Sequence, residues 1–197
     1  AGMVRRGVGV AVLGLALVGC GQEAAAPPPD ELAARARQAG VELRLVYVTA
    51  ADGYARTVGG LGPYGDAGFQ DVYAAGDGTD LRLTVEDRGL DAAGCPALPV
   101  PAASPAGAPV RCTADGDGWA RESGDRREYA VVHDGLLVRV SGTAGPEVLA
   151  AAARAARPAS PAELDDMLPA DRGGPVERGD LPDTGDGAPL NPTGPGG

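Results

Sequence analysis

Gly60-Leu61-Gly62-Pro63-Tyr64-Gly65 fits the G-x-G-x-x-G pattern that lets backbone amides approach a pyrophosphate. That chemistry needs a strand before the motif and a helix after it. Pro63 sits in its middle and no helical period follows, so the stretch reads as a loop. Asp115 and Asp117 offer two of the oxygens of a calcium loop. Trp119 holds the third oxygen position and no glutamate stands at the twelfth, so these are turn residues. His133 is the only histidine, with no thiol near it in sequence to complete a zinc site. No G-x-S-x-G elbow offers it a serine nucleophile. Aspartates and glutamates are plentiful, but no spacing selects a hydrolytic pair. The expectation is a protein that is not an enzyme and has no metal or cofactor.

A binding role leaves different traces. Tyr54, Tyr64, Phe69 and Tyr73 cluster around the glycine-rich stretch 52–68. Aromatic side chains supply contact area with few rotors. The four form a candidate binding surface, although packing against an adjacent strand accounts for Phe69 and Tyr73 equally well.

The three cysteines carry the clearest chemistry. Before the first, Arg5 and Arg6 form a short positive segment, and residues 8–18 are all apolar or glycine. This is the charge order of a secretory signal peptide. The run is too short for a membrane span, which needs about 20 apolar residues. The sequence after the paired arginines fits ordinary secretion better than twin-arginine export. Leu17-Val18-Gly19-Cys20 then resembles the lipobox of bacterial lipoproteins: an apolar residue, two smallish residues and a cysteine. The resemblance implies a signal peptide over 1–19, a diacylglyceryl group on the Cys20 sulfur, and cleavage that makes Cys20 the new N-terminus. Two or more acyl chains suffice for stable anchoring. Residues 20–29 become a lipidated cysteine and a proline-stiffened tether.

Lipidation of Cys20 leaves Cys95 and Cys112. Outside the cytoplasm these can pair. The proline-rich run between them cannot be a central strand. The C-x-x-C spacing of redox pairs is absent, so the bridge is expected to be a staple contributing about 3 kcal/mol.

The chain has 27 acidic against 17 basic residues, a formal net charge of −10. An acidic surface repels nucleic acid and anionic headgroups. There is no lysine and no isoleucine, and Asn191 is the only asparagine, a bias expected of a GC-rich bacterial genome. With 32 glycines and 18 prolines, part of the chain is expected to be linker. Leu181-Pro182-Asp183-Thr184-Gly185 matches the sortase signal L-P-x-T-G. No apolar span or basic tail follows, so the match is read as chance.

The elements follow from periodicity. Asp30 caps a short helix ended by Gly40, with Arg35 and Arg37 on its wetter side. Val41, Leu43, Leu45 and Tyr47 alternate with polar residues as a half-buried strand. Residues 52–68 are loop. Strands follow over 69–75 and 79–87, then hairpins turning at 115–118 and at Asp134-Gly135. The second hairpin places Tyr129, Val131, Leu136, Val138 and Val140 on one face and Glu128, Ala130, Arg139 and Ser141 on the other. Pro146 opens a helix with Val148, Leu149, Ala152 and Ala156 buried. Ser160-Pro161-Ala162-Glu163 is a capping box for a last helix through Leu168. The sum is α+β: an antiparallel sheet of about six strands in hairpins, with one N-terminal and one or two C-terminal helices on one face. The extracytoplasmic domain spans 30–168, and 169–197 is expected to be a disordered acidic Gly/Pro-rich tail.

The whole pattern resembles small membrane lipoproteins of actinomycetes. It implies a place on the outer face of the cytoplasmic membrane, held through acyl chains on Cys20. The expected function is a non-enzymatic binding or accessory module with an envelope protein or cell-wall partner. A small-ligand-binding lipoprotein using the aromatic glycine-rich region is the alternative. A carboxylate-dependent hydrolase stands behind both.

Overall fold

The computed structural model describes residues 26–170. The lipobox residues Leu17, Val18, Gly19 and Cys20, the tail from 171 onward and the motif at 181–185 lie outside the described residues.

The architecture is α+β, with three helices, an eight-stranded antiparallel sheet and a separate two-stranded sheet. Helix α1 (Pro29–Gln38) leads through a 3-10 turn (Leu43–Leu45) to β1 (Tyr47–Val48). Strands β2 (Tyr54–Arg56), β3 (Gly62–Tyr64), β4 (Gly68–Ala75) and β5 (Asp80–Glu86) follow. Residues 87–110 connect these to a meander of β6 (Arg111–Asp115), β7 (Gly118–Ser123), β8 (Arg126–His133) and β9 (Leu136–Gly142). The chain ends in α2 (Pro146–Ala155), β10 (Arg157–Pro158) and α3 (Pro161–Met167). The sheet order is β2-β4-β5-β9-β8-β7-β6, with β3 also paired to β4. Because β9 lies against β5, the connection must carry the chain to the far edge.

The β8–β9 hairpin has the expected register, with Tyr129 opposite Val140 and Val131 opposite Val138. Asp134 (φ 50°) and Gly135 (φ 82°) are both left-handed, as a type I′ turn requires. Pairing extends the apolar face to Leu81, Leu83, Val85 and Phe69. These residues and the buried stripes of all three helices form one core. In α2 that stripe is Leu149, Ala150, Ala152, Ala153 and the following Ala156.

Four local expectations are corrected. The strand expected over 41–50 shrinks to Tyr47 and Val48, which pair with Pro158 and Arg157, and Leu43–Leu45 form a 3-10 turn instead. Leu45, Val46 and Tyr47 are buried in succession, which strict alternation forbids. Helix α1 starts at Pro29 with no side-chain cap, Asp30 instead standing in its first turn. Its Arg35 is buried rather than wet, because it donates to Glu31 and to Asp165 of α3 and so joins the two helices. The stretch 52–68 contains β2 and β3, three residues each, too short to show a period. Glu128, Arg139 and Ser141 occupy the expected face, and they are buried there.

The connection 87–110 explains that burial. The Cys95–Cys112 disulfide, with Cα atoms 6.2 Å apart, ties it to β6. Beneath it, Arg121 pairs with Glu128 and donates to the carbonyls of Cys95 and Leu98. Arg139 pairs with Glu128 at 3.2 Å and Glu86 at 2.8 Å, and donates to Pro99 O at 3.0 Å. Under this connection the second sheet face is thus a buried ionic layer. Its guanidinium groups satisfy carbonyls that a proline-rich segment cannot place in a ladder.

A candidate binding cleft beside the glycine-rich loop

Strand β2 pairs antiparallel with β4, setting Arg56 opposite Tyr73. The chain then turns through Thr57-Val58-Gly59-Gly60, closed by Gly60 N–H to Thr57 O at 3.3 Å. Gly59 is left-handed at φ 77°. At Gly60 a Cβ would meet Thr57 Oγ1 at 2.6 Å and Val72 N at 2.9 Å, so the loop lies on β4 only with glycine there. Thr57 anchors the turn, its N–H and hydroxyl both donating to Val72 O at 2.8 and 3.0 Å. The loop leaves Val58 fully exposed.

Helix α3 forms the opposite wall. The capping box is present: Glu163 N–H donates to Ser160 Oγ at 3.3 Å, and Ser160 N–H donates to Glu163 Oε2 at 2.7 Å. Arg157 grips the same carboxylate with two bonds, at 2.8 and 2.7 Å. The Arg157 bonds first, then the Ser160 amide, hold Glu163 down to about 2. It stays ionised at any physiological pH.

Between these walls lie two adjoining clefts of about 200 and 260 Å³. Arg56, Asp166 and Met167 line both. Val48, Thr49, Tyr73 and Glu163 complete the first, and Thr57, Val58, Gly59 and Leu61 the second. Thr49 is fixed by its hydroxyl, which donates to Ala152 O, and by its N–H, which donates to Tyr73 Oη at 3.3 Å. Arg56 has a side chain 34% exposed. Next to it Asp71 is fully buried on the apolar side of β4. Its Oδ1 accepts from Val72 N–H at 2.9 Å. Its Oδ2 has no hydrogen bond and lies 4.0 Å from Arg56 Nε. Burial pushes this carboxyl up to about 6, against the Val72 amide and Arg56.

The four aromatic candidates do not converge. Phe69 and Tyr73 are core residues of β4. Tyr54 is half-buried on the edge strand, its hydroxyl 2.7 Å from Thr79 Oγ1. Tyr64 lies on the other sheet face, its ring centroid 5.7 Å from Arg139. Only Tyr73 borders the cleft. The groups that reasoning from sequence missed are Arg56, Asp71 and Asp166. Asp71 left a signal, since a carboxylate between Phe69 and Tyr73 breaks the apolar side of its strand.

The other motifs resolve into structure. Asp115 and Asp117 flank the left-handed Gly116 of a hairpin turn, and Arg154 stands 3.7 and 3.3 Å from their carboxylates. An arginine already fills the place of a cation. His133 is half-buried near the β8–β9 turn, with Nε2 unpartnered. Cys95 and Cys112 are joined as expected. Among the described residues, no group of three or more His, Cys, Asp or Glu is placed to hold a metal ion, and no helix is long and apolar enough to cross a membrane. The chain matches no family model, no curated protein and no solved structure.

Proposed function

We propose that this protein is a lipid-anchored extracytoplasmic envelope protein that acts as a non-enzymatic binding or accessory module. The observation that carries the reading is the chain order: a positive segment, a short apolar run, Leu17-Val18-Gly19-Cys20 and a proline tether, leading into the first helix. The Cys95–Cys112 disulfide supports it, since such a staple persists in an oxidising compartment. In cells fed an alkyne-tagged fatty acid, the wild-type chain takes up the label and Cys20→Ser does not. Protease added to intact spheroplasts digests the wild-type domain. Equal labelling of both chains overturns the anchor, and protection from the protease overturns the location. Crosslinking in membranes should recover one specific envelope partner, and repeated recovery of nothing specific counts against an accessory role.

A second reading, small-ligand binding, is favoured by the clefts beside the glycine-rich loop. In that reading the contacts come from Arg56 and the wall of α3 rather than from an aromatic surface. The loop residues Thr57 to Leu61 supply shape.

A further inference from the structure

We propose that the paired clefts bind a small zwitterion, such as a free amino acid or a short peptide, with its carboxylate on Arg56 and its ammonium group on Asp166. The inference rests on the small-ligand reading and names the ligand class.

Two charges of opposite sign line both clefts without meeting. No Arg56–Asp166 contact falls within the 4.0 Å of an ion pair, and Asp166 makes no ion pair with any described residue. The other charges nearby are committed. Glu163 is held by Arg157 and by the Ser160 amide. Among the described residues, Arg56 has one carboxylate within 4.0 Å, that of Asp71, too far for a hydrogen bond. Its N–H donors remain available to a ligand carboxylate, which a guanidinium can bind through two parallel bonds. The buried Asp71 carboxylate lies behind it, 4.0 Å from Nε.

Charge balance selects the ligand. A bare anion reaching Arg56 would also face Asp166 and Glu163. A bare cation reaching Asp166 would face Arg56. A molecule carrying both charges satisfies both walls. Each cleft is smaller than the roughly 300–1,000 Å³ of pockets for drug-sized ligands. Val48, Leu61 and Met167 leave apolar surface for a short side chain.

The test is a ¹H–¹⁵N titration of the labelled full chain with alanine and with alanyl-alanine. Their comparison distinguishes a free amino acid from a peptide, whose charges lie farther apart. N-acetylalanine lacks the ammonium group and alaninamide lacks the carboxylate. One or both unblocked probes should shift the amides of Thr57, Gly59, Leu61 and Met167, with both blocked compounds at least tenfold weaker. Arg56→Gln and Asp166→Asn should each weaken binding at least tenfold. Should Arg56→Gln unfold by circular dichroism, the exposed Asp166→Asn carries the comparison. Blocked compounds that bind equally well overturn the zwitterion while leaving a small-ligand site standing. No shift at these amides up to about 20 mM, well past a Kd of about 1 mM, overturns the proposal for this cleft.

Discussion

At the scale of single residues, Asp71 is the most consequential side chain in the sheet. It is a carboxyl inside an apolar core, with one oxygen on an amide and the other lacking a donor. Its pKa rises from 3.8 to about 6 on folding. The folded state therefore holds the proton more tightly than the unfolded state. The stabilisation is fully present below pH 3.8 and is lost as pH rises through about 6. A shift of this size is worth about 3 kcal/mol. Asp71→Asn keeps an oxygen for the Val72 amide and never ionises. Urea unfolding across pH 4 to 7 should show stability falling with pH in the wild type and a flatter profile in Asp71→Asn, which becomes the more stable of the two near neutrality. Parallel profiles would show that Asp71 does not titrate in this range. The residue was visible in the sequence as a break in the apolar pattern of its strand, but its neighbour was not. Arg56 reaches it through a pairing of β2 with β4, and three-residue strands leave no period to read.

At the scale of elements, the connection 87–110 decides how the second sheet face is used. Alternation correctly divided β8 and β9 into two sets of side chains. It could not reveal that the charged set is covered, because the cover comes from a segment with no periodicity. Its prolines exclude a ladder, so its carbonyls are met by Arg121 and Arg139. Glu128 neutralises both guanidinium groups at the centre. Such a layer is weak evidence for net stability, yet removing one member strands buried charge. Glu128→Ala should therefore lower unfolding stability by about 3–5 kcal/mol, measured by urea denaturation. A loss under about 1 kcal/mol, the range of surface ion pairs, would mean that water already reaches the layer. Turn chemistry was more legible. Asp134-Gly135 and the Ser160–Glu163 box act within a few residues of chain, so tertiary contacts need not be known to place them.

At the scale of the whole molecule, the structure is a domain with two differently covered sheet faces. Helices bury an apolar side, and a stapled connection buries an ionic side. The fold class and most strands were legible because hairpins announce themselves by turns and period-two patterns. The sheet order was not, since bringing β9 beside β5 depends on a long connection that carries no pairing signal. The candidate cleft was half legible: the glycine-rich loop marked the place, while the charged groups come from an edge strand and a helix roughly a hundred residues apart. Neither sheet face explains residues 1–29, whose pattern gives the domain its proposed address. The measurement that reaches that claim most directly is the mass of the N-terminal peptide from membrane-extracted protein. The account predicts Cys20 as its first residue, with a diacylglyceryl thioether on the sulfur. An unmodified Cys20 still preceded by Gly19 would contradict it.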